Sequence, residues 1–159
     1  MNNILDIVKR HLEPSMQMLS NVITICPDEL WINNQYGFPI WKRVLHTLES
    51  IDYWLNEFDK YYFDEIGKDV SPELKVYCKD ILSKEEMNQY YKKVMRKCDK
   101  ISSQESEISI LDSSLQKNYT ILDIILTQIR HIQINIGYCN NCFNQFGING
   151  VKWIGFAED

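Results

Sequence analysis

The stretch from about Asn118 to Phe146 constrains the fold more than any other, because Ile121, Leu122, Ile124, Ile125, Leu126, Ile129, Ile132, Ile134 and Ile136 follow one another almost without a break. At that density apolar side chains cover nearly every face of a helix. A helix with no polar face is ordinarily enclosed by its neighbours, so this segment is expected to be central and buried. Gly147 stands just past its end, where a left-handed residue closes a helix. Six Gly and four Pro are too few for the many tight turns of an all-β protein, so the expected class is all-α.

Three further helical segments follow from periodicity. The first covers about Asn3 to Ile25, with Ile4, Val8, Leu12, Leu19 and Val22 at three- and four-residue steps. Pro14 lies inside it and is expected to bend or break it. A turn at Cys26-Pro27-Asp28 and a polar loop, Asn33 to Gly37, lead to a second helix that opens at Pro39 and runs to about Phe58. Trp41, Val44, Leu45, Leu48, Ile51 and Leu55 form its buried stripe. From Asp59 to Leu82 the pattern weakens to a long connection with one short helix. Ser83 and Glu86 then form a capping box that starts a third helix, ending near Gln104. Its Lys92, Lys93, Arg96, Lys97 and Lys100 make a solvated face, and Ser102 to Ser114 is a polar break. Residues 1–159 are expected to form one domain, a four-helix bundle with a long connection between helices 2 and 3.

Charge and cysteine usage exclude several function classes. A net charge of −5 and a pI near 5.2 disfavour nucleic acid as a partner, since phosphate backbones are bound by a positive surplus. No apolar run reaches the length of a membrane span, and residues 1–10, with acidic Asp6, have no signal-peptide core. Five cysteines, an odd number without secretory spacing, point to reduced thiols and a cytoplasmic setting. Cys139 and Cys142 have CxxC spacing, but within a helix rather than at a helix start, so they read as core. There is no Gly-rich phosphate loop, nucleophile elbow or HExxH motif.

The polar residues of the last helix carry the chemistry. His131 and Asn135 lie one turn apart on one side, with Gln128, Tyr138 and Cys142 on the same flank. An unpaired buried polar group costs roughly 1–3 kcal/mol, so this row must find partners. His46, on the second helix, stands off the leucine stripe beside Glu49 and Tyr53. If the two helices are neighbours, His46, His131 and Asn135 converge on one groove with metal-site spacing. The structural reading is that each histidine is a hydrogen-bonded core residue. His11, on the first helix, is read as structural.

The segments Asp28-Glu29-Leu30-Trp31 and Trp41 through Leu55 (WKRVLHTLESIDYWL), with Ile129 through Gly137, Phe146-Gly147-Ile148 and Trp153-Ile154-Gly155, resemble the DinB-like superfamily of four-helix bundles over nearly the whole chain. The resemblance implies a divalent metal held by one His of the second helix and a His-x-x-x-His pair on the last. His46 and His131 match two of these, and Asn135 stands where the third is expected. A carboxamide oxygen is a poor ligand for zinc, nickel or iron.

Two functions of different class follow. One is a metal-dependent enzyme, a thiol S-transferase or hydrolase as the resemblance implies, with His46 and His131 as ligands and Asn135 as a weak third. The other is a non-catalytic bundle that has lost the metal and binds a small molecule in the same pocket. Glu49, Tyr53, Gln128 and Tyr138 are candidate pocket residues in either case. The sequence also leaves room for a homodimer.

Overall fold

The computed structural model describes residues 3–55, 62–104, 110–111 and 118–155. The chain is all-helical, with no strand among the described residues. Its helices are α1 (Ile4–Ile25), α2 (Asp28–Ile32), α3 (Ile40–Trp54), α4 (Tyr62–Glu65), α5 (Lys84–Gln104) and α6 (Ile121–Phe146). Among the described residues, no helix is long and apolar enough to cross a membrane.

Local chemistry sets the helix ends. Asn3 caps α1 by accepting from the Leu5 amide at 2.7 Å. At α5 the capping box forms as expected: Glu86 accepts from the Ser83 amide at 2.9 Å, and the Glu86 amide donates to Ser83 Oγ at 3.2 Å. A second box, Thr120 with Asp123, opens α6 at Ile121, three residues later than the apolar pattern suggested. Asn118, the expected start, instead holds a left-handed φ of 63°. Gly147 ends α6 in the left-handed conformation, φ 87°. Pro14 does not break α1, which runs through it as one helix. The expected turn at Cys26-Pro27-Asp28 leads directly into α2, whose Trp31 is buried and donates from Nε1 to the Leu82 carbonyl at 2.7 Å. The second long helix stops at Trp54 with Leu55 as its C-cap, and the rest of its expected span, 56–58, lies outside the described residues. So does most of the polar break, of which Ile110–Leu111 is helical.

Both α5 and α6 pack against α1 and α3. Val44, Leu45, Leu48 and Ile51 of α3 are fully buried between them, each contributing roughly 1.5–3 kcal/mol of apolar burial. Polar ties fix the register. Tyr91 of α5 donates to the Met16 carbonyl of α1 at 3.2 Å, and Ser15 of α1 accepts from Gln133 of α6 at 3.0 Å. Lys97, expected on the solvated face of α5, instead joins Tyr90 on the Asp52 carboxylate of α3. The expectation that α6 is enclosed is overturned in part. It packs against two long helices, so its outer side stays in solvent, with Ile134 72% and Leu126 47% exposed.

The connection from α4 to α5 contains a closed loop, residues 69–80. Its ends are tied by the Asp69 amide to Asp80 Oδ2 at 2.7 Å and the Asp80 amide to the Asp69 carbonyl at 3.2 Å. The loop lies against α3, where the buried Lys42 ammonium donates to the Val76 carbonyl.

Candidate functional site

The α3–α6 interface brings His46 and His131 together. Their Nε2 atoms are 3.1 Å apart and their rings meet edge to face, with centroids at 4.9 Å. His46 Nδ1 lies 3.1 Å from the Pro72 carbonyl of the closed loop. A carbonyl accepts only, so His46 carries its proton on Nδ1 and offers a lone pair at Nε2. His131 donates from Nε2 to that lone pair. Its Nδ1 is then a bare acceptor, buried and without a hydrogen-bond partner among the described residues.

Asn135 does not turn its oxygen toward the imidazoles. Its Nδ2 donates to the His131 carbonyl at 2.8 Å, and its Oδ1 accepts from Arg43 Nη1 at 3.2 Å. Arg43 lies one turn before His46 on α3. Its guanidinium carbon stands 3.8 Å from the Tyr138 ring centroid and 5.3 Å from that of Phe38, a cation held over two aromatic faces. Tyr138 is fixed in turn: its hydroxyl donates to the Tyr36 carbonyl at 3.0 Å and accepts from the Phe38 amide at 2.9 Å. The sequence reading missed Arg43, although the spacing from Arg43 to His46 already put both on one face.

The other candidates are dispersed. Gln128 is 2% exposed and accepts from Ser50 Oγ at 3.0 Å, one turn from His131 along α6. Tyr53 is exposed and meets Trp54 edge to face. Glu49 is half-buried, and burial, then the nearby Asp52 charge, pushes its carboxyl above the usual range. His11 lines a separate cavity of about 260 Å³ together with Gln133 and Trp153. Cys139 and Cys142 are buried, and burial raises both thiols.

Both imidazoles of the pair are held below the ordinary value of 6.5. Burial is the main cause for each. The Arg43 charge adds to it at His46, against the Pro72 hydrogen bond, while at His131 the His46 ring and then Arg43 add to it. The unfolded chain therefore takes up protons here before the folded chain does. The stability linked to the pair is complete above pH 6.5 and is lost as pH falls from there through the lowered folded values. Thermal midpoints are expected to drop as pH falls below 6.5, and less steeply in a His46→Gln, His131→Gln double variant. An equal slope in the double variant would remove the pair as the cause.

The donor set does not fit the metal that the resemblance implies. Two imidazoles are in reach, but the third residue's oxygen is engaged by a guanidinium whose charge opposes a dication. Among the described residues, no group of three or more His, Cys, Asp or Glu side chains is assembled to hold an ion. Catalytic zinc sites ordinarily supply three protein ligands. No protein-family model matches the chain, and neither does a curated protein or a solved structure.

Proposed function

We propose that the chain is a DinB-like four-helix bundle, built from α1, α3, α5 and α6, that has exchanged the family's metal for a guanidinium and binds a small carboxylate-bearing molecule at Arg43, His46 and His131. The observation that carries this reading is the Arg43–Asn135 hydrogen bond. It places a permanent cation beside the imidazoles, and Arg43 Nε is buried without a hydrogen-bond partner among the described residues. A guanidinium matches a carboxylate in geometry as well as charge, and a buried donor with no acceptor favours an acceptor-bearing ligand.

The second reading, a metal-dependent thiol S-transferase or hydrolase, has one observation in its favour. The Pro72 carbonyl fixes His46 with Nε2 outward, as carbonyls commonly do for metal-ligating histidines. The 3.1 Å between the two Nε2 atoms is also close to the roughly 3.3 Å that a tetrahedral ion at about 2.0–2.1 Å imposes on two nitrogens.

Elemental analysis of protein purified without a polyhistidine tag separates the two readings. Clearly substoichiometric zinc, nickel and iron are expected, together with a thermal shift from small carboxylates that Arg43→Gln abolishes. One tightly held metal per chain would establish the second reading instead.

A further inference from the structure

One helical turn from the histidine pair, the same α3–α6 interface opens into a cavity of about 220 Å³. It is lined by Trp54, Tyr119, Asp123, Ile124, Thr127 and Gln128. We infer that this cavity is a binding site for a neutral, planar heteroaromatic molecule that presents a hydrogen-bond acceptor to Gln128. The inference is independent of what the histidine pair binds.

Gln128 supplies the polar anchor. The residue is almost wholly buried, yet it lines the cavity. Ser50 Oγ engages its Oε1, and its Nε2 makes no hydrogen bond among the described residues. A carboxamide held at its oxygen, whose N–H donors meet no protein acceptor among the described residues, offers those donors to a ligand acceptor in the cavity. The walls select the rest of the ligand. The Trp54 and Tyr119 rings meet at 82° with centroids 6.4 Å apart, forming a corner in which a flat ring stacks on one face and receives the edge of the other. Ile124 closes the inner side with apolar surface.

Asp123 sets the charge. The Thr120 hydroxyl and amide hold its carboxyl below the usual range, so it stays ionised at the rim and opposes an anionic ligand. Thr127 stands at the opening, where its hydroxyl accepts from Arg130 at 3.2 Å.

Quinoline and naphthalene test the inference, because they share one shape and quinoline alone carries an acceptor. In ¹⁵N-labelled full chain at about pH 7.5, where quinoline is neutral, it is expected to shift the Gln128 side-chain amide and the Trp54 indole resonances. It should bind about fivefold more tightly than naphthalene, the effect of one hydrogen bond. Gln128→Met keeps the length of the side chain without its donors and is expected to bring the two affinities level. Thr127→Trp, at an exposed position, fills the opening and is expected to abolish both sets of shifts. Equal affinities in the wild type overturn the proposal, as do shifts that survive Thr127→Trp. Should Gln128→Met fail to fold, the wild-type ratio and Thr127→Trp decide.

Discussion

Asn135→His combined with Arg43→Gln is expected to create a zinc site, with affinity rising at least about a hundredfold over wild type. The added imidazole would sit one turn from His131 on the same face of α6, and His46 would bring a third nitrogen from α3. Three neutral nitrogens meet the ligand number that is not assembled among the described residues of the wild type. The second substitution matters as much as the first. Arg43 holds a positive charge within one hydrogen-bonded residue of the imidazoles, and at an effective dielectric near 20 two unit charges about 4 Å apart repel by about 4 kcal/mol. Asn135→His alone should therefore gain much less than the pair. Glutamine is also shorter than the arginine it replaces, which leaves volume for an imidazole at position 135, where the native Asn135 is buried. Calorimetric zinc titration of untagged proteins measures this, with His131→Ala in the double variant expected to erase the gain. Equal zinc affinity in wild type and double variant would sink the account of Arg43 as the group that displaces the metal.

The second large effect is on stability. Gly37→Ala is expected to destabilise the chain by about 3 kcal/mol. Gly37 has φ 112°, a region that L residues rarely adopt, and a Cβ there would stand 2.3 Å from the Tyr138 hydroxyl oxygen. Backbone strain accounts for about 1–2 kcal/mol. Moving Tyr138 adds the loss of its bonds to Tyr36 and Phe38, about 1 kcal/mol each. In a domain of this size that corresponds to a fall in thermal midpoint of roughly 10 °C. Much of the penalty should vanish in a Tyr138→Phe background, because the hydroxyl oxygen is the clashing atom while the next ring carbon stands 3.5 Å away. A midpoint unchanged by Gly37→Ala, or equal losses in both backgrounds, would contradict the assignment of the clash. Since Tyr138 also carries Arg43 on its face, the same variant should weaken the carboxylate thermal shift.

The sequence made helices legible where period and cap agreed. Ser83 with Glu86 marks the start of α5, and the α3 stripe contains Val44, Leu45, Leu48 and Ile51, which are fully buried. It failed where composition stood in for direction. The isoleucine run of α6 has apolar residues on most faces, but composition does not say how many neighbours surround a helix, so exposed Ile134 looked the same as buried Ile132. The five residues of α2 are too few for a period to register. At the site, one-turn spacing brought His131, Asn135 and Tyr138 into one cluster and set His46 opposite, where α3 places it. Proximity along α3 groups Glu49 and Tyr53 with His46, yet the Glu49 carboxyl is shifted by burial and Asp52, and the Tyr53 ring meets Trp54. Arg43 escaped notice because a charged residue on an amphipathic helix reads as solvated, and its aromatic support comes from residues distant in sequence, Tyr138 above all.

The loop of residues 69–80 begins and ends at one place and hands two carbonyls to α3, one to Lys42 and one to His46. Proton placement on the histidine pair thus depends on a part that lies outside every long helix. Grafting a different loop between the same two anchor points would exchange a carbonyl for a carboxylate or an amide opposite His46 Nδ1. That exchange would convert the ring from neutral donor to cation or reverse its tautomer. In this architecture, acid–base character is an interchangeable module and the helical frame is its socket.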